Sequence, residues 1–241
     1  MARVKIEIRP LTIQMDGPLV LGTGFRRGLI HRTVERDADG FACIPASSLK
    51  GRVRRACEQL AKDVGLRVCH APRPSGMCSA HKQACLVCRV FGAPGRGSNL
   101  RWQDARLPEV YRSAFKAIRE AQFYARTQVQ LSRALGTSAP ERLFTSEFTV
   151  EDLHFASSIT GWLEITPIAG DELTGGYEIL LLIAGLRLIN TIGGAASRGA
   201  GWISLTLPEK VRIGDMEVHW KKILENVELL RWYQEEKSYD N

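Results

Sequence analysis

Four of the six cysteines lie within twenty residues, in the order Cys69, Cys78, Cys85 and Cys88. Cys85 and Cys88 form a C-x₂-C pair, which places two thiolates on one tight turn, as tetrahedral metal coordination requires. A chain of 241 residues can bury a core without disulfides, so thiols clustered in this way indicate a metal site. His70 and His81 lie in the same segment, so a Cys₃His ligand set is an alternative to Cys₄.

The surroundings of the cysteines favour structural Zn²⁺. No Asp or Glu occurs between residues 64 and 103, whereas a catalytic zinc keeps one position open, commonly beside a carboxylate base. The expected role of the ion is to fold a segment that is too polar to build a core of its own. Residues 64–98 are therefore predicted to be a zinc-binding insertion.

The hydrophobic pattern around this insertion predicts one α+β domain over residues 1–241. Alternation and helical spacing predict, in order, a strand, a helix that Ser47 or Ser48 caps, two strands, an apolar helix and a strand. This is the order of the split β-α-β, ferredoxin-like and RRM-like folds. Residues 108–150 are predicted to form a protruding hairpin or loop, and a last helix is predicted near the end of the chain. The predicted ranges are 4–13, 48–63, 100–107, 155–165, 171–190, 202–207 and 220–232.

The charge of the chain favours a polyanionic partner. The net charge is +7 and the pI is about 9.3, and clustered Lys and Arg release condensed counterions from phosphates. The N-terminus lacks a signal-peptide core. The longest strongly apolar stretch, residues 179–189, is shorter than the roughly 20 residues that cross a bilayer. We expect a cytoplasmic protein with no membrane partner.

Two segments predict phosphate binding. The first is the helix start IPASSLKGRVRR, where free N–H groups and the helix dipole attract anions; its candidate contacts are Ser47, Ser48, Lys50, Arg52 and Arg54. The second is the loop GGAASRGAG, in which successive N–H groups of glycines can form an anion nest beside an arginine. The candidate contacts in this loop are Gly193, Gly194, Ser197, Arg198 and Gly199.

Together these segments resemble the RAMP superfamily of CRISPR proteins, and within it the Cas-seven-type backbone subunits of type III and type III-derived complexes. IPASSLKGRVRR is similar to the family motif I-P-G-S-S-L-K-G-x-[LV]-R, with Ala46 in place of the usual Gly. The segment from CHAPRPSGMC to CLVCRVFG is similar to the family's zinc-binding insertion. RTQVQLSRALGTSAPERLFTSEF is similar to its thumb, and GGAASRGAGWI to its glycine-rich loop. The resemblance runs from about residue 4 to residue 207.

The resemblance implies an RRM-like palm, a thumb hairpin and copies that assemble head to tail along a crRNA paired with target RNA. A Cas-five-type cap and a nuclease subunit would complete the complex, which would be III-D-like or type VII. It implies that Ser48, Lys50, Arg52, Arg198 and the loop glycines contact RNA. Arg126 and Arg133, at the thumb base, are further candidates.

One departure from the family concerns cleavage. Target-slicing members carry an Asp in the loop before the Ser-Lys-Gly motif, but no acid occurs here between Gly22 and Val34. We therefore expect no catalytic residue, and Arg26 and Arg27 in this loop are expected to bind RNA. His31 is a candidate acid or base for a guide-processing activity. The alternatives are a target-RNA-slicing endoribonuclease and a zinc-stabilised RNA-binding protein outside CRISPR.

Overall fold

A computed structural model describes residues 2–22, 24–78, 84–168 and 175–233 of the chain. The fold is mixed α+β, as predicted, and consists of an antiparallel sheet, a separate two-stranded sheet and five α-helices in this described part. The strands are β1 (Ala2–Met15), β2 (Cys43–Ile44), β3 (Leu100–Trp102), β4 (Ala105–Arg106), β5 (Phe123–Ser132), β6 (Thr137–Thr149), β7 (His154–Ile165), β8 (Ile203–Thr206), β9 (Lys210–Ile213) and β10 (Met216–His219). The helices are α1 (Ala46–Asp63), α2 (Leu86–Phe91), α3 (Glu109–Phe115), α4 (Tyr177–Leu188) and α5 (Trp220–Glu225).

The centre of the main sheet is the antiparallel pair β1 and β7. Their register runs from Ala2 opposite Ile165 to Gln14 opposite His154, and it shifts between Ile8 and Leu11. The free edge of β1 pairs with β8 and β9, and the free edge of β7 pairs with β3 and β4. The short strand β10 pairs with β9 at one edge of the sheet, and β2 pairs with β4 at the other. The two long central strands thus form the platform on which the helices pack.

A single large core lies between this sheet and the helices α1, α2 and α4. Ile6 and Ile8 of β1 are buried there, whereas alternate residues such as Lys5 are exposed. Helix α4 is buried on nearly all sides, which fits its continuous apolar sequence. A Cβ atom at Gly185 of α4 would lie 2.2 Å from the Cys57 sulfur of α1, so this glycine permits the two helices to approach closely.

Helix α1 begins two residues earlier than predicted, at Ala46, so the expected N-cap was wrong. Pro45 occupies the N-cap position and makes no side-chain cap. The carboxylate of Asp104, which follows β3, accepts the Ala46 N–H at 2.8 Å instead. Asp104, 58 residues away in the sequence, thus takes the capping role predicted for Ser47 or Ser48. Both serines lie within the first turn of α1.

The C-terminal part differs most from the expectation. The predicted helix over 220–232 is α5 followed by a 3₁₀ segment from Val227 to Trp232, with Asn226 between them. The hairpin formed by β9 and β10 was not predicted; it turns through Gly214 at φ +60°. The first residues of the predicted helix over 171–190 lie outside the described part of the chain. Among the described helices, none combines the length and apolarity needed to span a membrane.

The region over residues 108–150 contains α3 and then the separate sheet of β5 and β6. These strands pair from Phe123 opposite Thr149 to Ser132 opposite Thr137. The turn between them is exposed, with Leu135 76% exposed at its tip. The hairpin is joined to the main body by hydrogen bonds at its base, where the Leu19 N–H donates to the Thr149 hydroxyl at 2.9 Å.

Candidate nucleic-acid interface and metal site

The loop that precedes β2 lies along the hairpin strand β6. The His31 N–H donates to the Thr145 carbonyl at 2.9 Å, and the Glu147 N–H donates to the Arg32 carbonyl at 2.8 Å. The side chain of Glu147, which is almost fully buried, accepts the Val34 N–H and pairs with the guanidinium of Arg36 at 2.9 Å. These contacts hold the loop like an extra parallel strand, so its side chains have defined positions.

The tip of this loop is a tight turn. The Arg27 and Ile30 backbones exchange two hydrogen bonds of 3.0 Å each around Gly28, which has φ +58°. Arg26 is exposed beside the turn, and Arg27 lies 3.4 Å from the carboxylate of Glu120. The turn therefore presents Arg26 to solvent while Arg27 contacts the segment before the hairpin.

The glycine-rich loop packs against the residues that follow β1. A Cβ at Gly193 would lie 2.4 Å from the Val20 carbonyl oxygen, and one at Gly201 would lie 2.1 Å from the Ile192 carbonyl oxygen. Both glycines have φ +76°, so backbone conformation and close packing require them. A Cβ at Gly194 would lie 3.9 Å from the Val20 carbonyl oxygen, an ordinary contact, and one at Gly199 would meet no atom within 4 Å. The loop carries Arg198 on an exposed 3₁₀ turn.

These three segments converge on a groove of about 570 Å³, here called the arginine groove. It is lined by Arg26, His31, Arg32, Val129, Gln130, Arg142, Phe144 and Arg198. Four guanidinium groups face one concavity, and the described side chains that line it include no carboxylate. Such an arrangement concentrates positive potential and suits phosphate groups, which guanidinium binds with two parallel hydrogen bonds.

Sequence reasoning found two of the four arginines, Arg26 and Arg198, and missed Arg32 and Arg142. Arg142 and Phe144 point to the same face of β6 because side chains alternate along a strand. The Arg32 guanidinium lies 5.8 Å from the centre of the Phe144 ring. The sequence predicted a hairpin or loop over residues 108–150 but not the segment that lies beside β6.

The two predicted hairpin arginines lie outside the lining of the arginine groove. The Arg126 guanidinium is 5.1 Å from the centre of the Phe148 ring and 5.7 Å from that of Tyr124, near the hairpin base. Arg133 is exposed in the turn at the hairpin tip. The two residues thus mark opposite ends of the hairpin.

The predicted contacts at the start of α1 divide between different surroundings. Ser47 is exposed, and Ser48 and Lys50 are half-buried; burial, and then the nearby charge of Arg54, lower the pKa of Lys50. The Arg52 Nε donates to the Thr191 carbonyl at 2.6 Å, and its guanidinium also contacts the Thr191 hydroxyl. Arg52 therefore ties α1 to the segment between α4 and the glycine-rich loop.

Two acids near the loop in sequence, Asp37 and Asp16, make contacts within the protein. Asp37 has a side chain only 3% exposed and forms an ion pair with Arg112. It also accepts the Phe41 N–H at 3.0 Å. Asp16, at the end of β1, is exposed and accepts the Ser204 hydroxyl at 3.0 Å.

The four clustered cysteines converge as predicted. Their sulfur atoms all lie within 4.8 Å of one another; the Cys69 and Cys88 sulfurs are 3.3 Å apart, and those of Cys85 and Cys69 are 4.0 Å apart. Tetrahedral coordination with metal–sulfur bonds of about 2.3 Å requires sulfur separations of roughly 3.8 Å. The four thiols can therefore hold a metal ion. Of the two alternative ligands, His70 is exposed and His81 lies outside the described residues.

The position of the cysteines in the fold differs from that of a loop insertion. Cys85 precedes α2 and Cys88 lies within it, and both are buried together with Leu86, Val90 and Phe91. These side chains belong to the main core. The second half of the cysteine segment is thus an integral layer of the domain, whereas Cys69 and Cys78 are only half-buried.

The electrostatics of the cluster favour a cation. A hydrogen bond from the Cys88 thiol lowers the pKa of Cys85 to about 4, and the same bond raises the pKa of Cys88. One thiolate thus forms readily, while a second needs a neutralising charge, which a metal ion supplies. Arg54 adds a cationic contact, since its guanidinium lies 3.4 Å from the Cys88 sulfur and donates to the Gly92 carbonyl at 2.9 Å.

A buried ion pair lies next to the cluster. The Arg89 Nε is 2.6 Å from a carboxylate oxygen of Glu178, and their side chains are 7% and 0% exposed. The other oxygen of Glu178 accepts the Thr166 N–H at 2.8 Å. The pair joins α2, α4 and the end of β7, so the residue after Cys88 is held by the core.

A family model described as the RAMP superfamily matches residues 12–204. The matched range contains helix α1, the cysteine cluster, the hairpin and the glycine-rich loop. A comparison with curated proteins finds no match.

Proposed function

The chain belongs to the RAMP superfamily of CRISPR-associated RNA-binding proteins, and from this we propose that it is a backbone subunit that holds guide crRNA. In this proposal the subunit grips crRNA phosphates and presents the bases for pairing with target RNA. It does not cut the target, which a separate nuclease subunit would do.

The observation that carries the proposal is the arginine groove. Arg26, Arg32, Arg142 and Arg198 come from three segments that are far apart in the sequence, and the fold brings them to one surface. Phosphate contacts by Arg position a nucleic acid without reading its sequence. A backbone subunit needs that property, because one chain must hold guides of every sequence.

The sheet supports an RRM-like palm. The strand order β8–β1–β7–β3, with α1 after β1 and α4 after β7, is the order of the split β-α-β arrangement. In this proposal the hairpin of β5 and β6 is the thumb. Its exposed apolar residues Leu131, Leu135 and Leu143 suit contact with stacked bases or with a neighbouring copy in a head-to-tail filament.

We propose that the metal is Zn²⁺ and that it is structural. Four thiolates form a closed tetrahedral set, which leaves no position for substrate. Two carboxylates beside the cluster are held in ion pairs, Glu58 with Arg54 and Glu178 with Arg89. When bound, the ion would cross-link the segment before α2 to the core, and the residues that hold it are Cys69, Cys78, Cys85 and Cys88.

The absence of cleavage is proposed from the placement of the acids. RNA hydrolysis assisted by a metal needs a carboxylate at the scissile phosphate. The Asp37 carboxylate is nearly buried against Arg112, and the Glu147 carboxylate is paired with Arg36. Neither Asp37 nor Glu147 is among the residues that line the arginine groove.

The test is to purify the chain and mix it with repeat-containing guide RNAs of increasing length. Native mass spectrometry should then show copy numbers that rise in steps with guide length. Labelled complementary RNA added with Mg²⁺ should pair with the complex and remain intact. The proposal fails if no multiple copies form on guide RNA.

Two outcomes would favour the alternatives. Regularly spaced cuts in the target that disappear in Asp16→Ala or Asp37→Ala would identify a slicing ribonuclease. One copy per RNA molecule at every length would favour a zinc-stabilised RNA-binding protein outside CRISPR.

A further inference from the structure

His31 is anchored to β6 at two points. Its backbone N–H donates to the Thr145 carbonyl at 2.9 Å, and its ring Nδ1 accepts the Thr145 N–H at 3.2 Å. The lone pair of Nδ1 is therefore used. A neutral imidazole that accepts through Nδ1 carries its proton on Nε2, so Thr145 selects one of the two tautomers.

The Nε2 edge of the ring has different surroundings. The Nδ1 edge faces the backbone of β6, so the opposite edge is turned away from that strand. His31 is exposed and lines the arginine groove with Arg26, Arg32 and Arg198. Within the described part of the chain, no protein group accepts a hydrogen bond from Nε2. The ring thus presents an N–H donor beside guanidinium groups that are also donors.

We infer that His31 is a fixed hydrogen-bond donor to a non-bridging phosphate oxygen of RNA in the arginine groove, and that it is not a general base. The inference rests on the proposed RNA binding and assigns a role to one residue of that site. A ring with its proton on Nε2 has no lone pair facing the groove. It therefore cannot take the proton of a ribose 2′-hydroxyl, which is what a base would do in RNA cleavage.

The phosphate is the acceptor that the surroundings favour. The four arginines of the groove are donors that suit anionic oxygens, and a neutral N–H donor adds a directional contact among them. A 2′-hydroxyl is the other oxygen that RNA offers. Because DNA has the phosphate and lacks that hydroxyl, a comparison of RNA with DNA of the same sequence separates the two acceptors.

Two substitutions test the two edges of the His31 ring separately. His31→Gln places an amide N–H near the position of Nε2, whereas His31→Asn keeps an acceptor for the Thr145 N–H and ends short of Nε2. Affinity for a fluorescein-labelled single-stranded RNA should be measured at pH 8. We expect His31→Asn to weaken binding about 3- to 10-fold, the effect of one hydrogen bond, and His31→Gln to stay within about twofold.

The inference is overturned if both variants bind like the unmodified chain, or if both lose affinity equally, since the ring would then be a bystander or a spacer. An effect of His31→Asn that vanishes on the DNA probe would move the contact to the 2′-hydroxyl and overturn the phosphate assignment. Nitrogen NMR of the histidine-labelled protein reads the tautomer without RNA, and an Nδ1–H form would contradict the inference by itself. Failure of the unmodified chain to bind any RNA would instead overturn the proposed function.

Discussion

The cysteine cluster is built from residues that lie within twenty positions of one another in the sequence, whereas the arginine groove joins segments far apart in the sequence, and the two sites use burial in opposite ways. Cys85 and Cys88 are buried in the main core, where the surroundings fix their positions before any ion binds. The arginines of the groove are exposed side chains on backbone segments that hydrogen bonds hold in place. On the proposed function the first site serves stability and the second serves RNA binding, so substitutions in the two sites should have different effects.

The largest effect is expected from Cys88→Ser. The substitution removes a ligand whose backbone is part of the core, so the metal should be lost. The free energy of unfolding should fall on the order of 4 kcal/mol or more, as is typical when a structural metal is removed. Thermal unfolding combined with elemental analysis of the purified protein measures both.

The matched control is Cys43→Ala, since Cys43 is buried, lies outside the cluster and has its pKa raised to about 12 by burial. It should keep the metal and cost about 1 kcal/mol. Equal metal content in Cys88→Ser and the control would show that the cluster is not a metal site.

The next largest effect is expected from Arg89→Met. It leaves the buried carboxylate of Glu178 without its cation, and breaking a buried pair in this way costs about 3–5 kcal/mol. The control is Arg96→Met, because Arg96 pairs with Glu164, whose side chain is 46% exposed, and such pairs contribute up to about 1 kcal/mol. Urea unfolding curves measure both. Similar losses in the two variants would mean that α2 is not held to the core by the buried pair.

A smaller effect, on binding alone, is expected from Arg142→Ala combined with Arg198→Ala. Loss of two phosphate contacts should weaken RNA binding about 10- to 100-fold and reduce the slope of log K against log salt by roughly 1.4. The melting temperature should stay close to that of the unmodified chain, because both side chains are exposed. Arg212→Ala on β9 is the control for charge alone. If it weakens binding as much as one groove substitution does, the groove is not the interface.

How well each region can be predicted from the sequence depends on how far apart in the chain its interacting residues lie. The C-x₂-C pair and the helical spacing of Leu49 and Val53 are local signals, so the metal cluster and α1 were predictable. The arginine groove depends on the loop around His31 lying along β6, a pairing between segments more than 100 residues apart. Propensity and periodicity carry no information on such a pairing, and Arg32 and Arg142 were missed for that reason.

Long-range contacts also decide what the basic residues of α1 bind, and sequence motifs do not reveal them. The motif places Arg52 and Arg54 among candidate RNA contacts, and helical spacing separates both from the apolar face. The structure shows Arg52 bound to Thr191 and Arg54 bound near Cys88. A guanidinium has five N–H donors, so these contacts orient Arg52 and Arg54 within the fold, and their contact with RNA stays a prediction. Those partners come from 34 to 139 residues away.

The smallest effect, and the sharpest division between the two regions, is expected from Arg54→Lys. A lysine keeps the charge but cannot reach the Gly92 carbonyl and the Cys88 sulfur together, so metal affinity should fall roughly tenfold, as when a contact to a metal ligand is lost. RNA affinity should change by less than about twofold, since Arg54 is not part of the arginine groove lining. Competition with a chromogenic chelator measures the first quantity and fluorescence anisotropy the second. The opposite result, unchanged metal affinity with weakened RNA binding, would show that Arg54 contacts RNA, as its motif suggested.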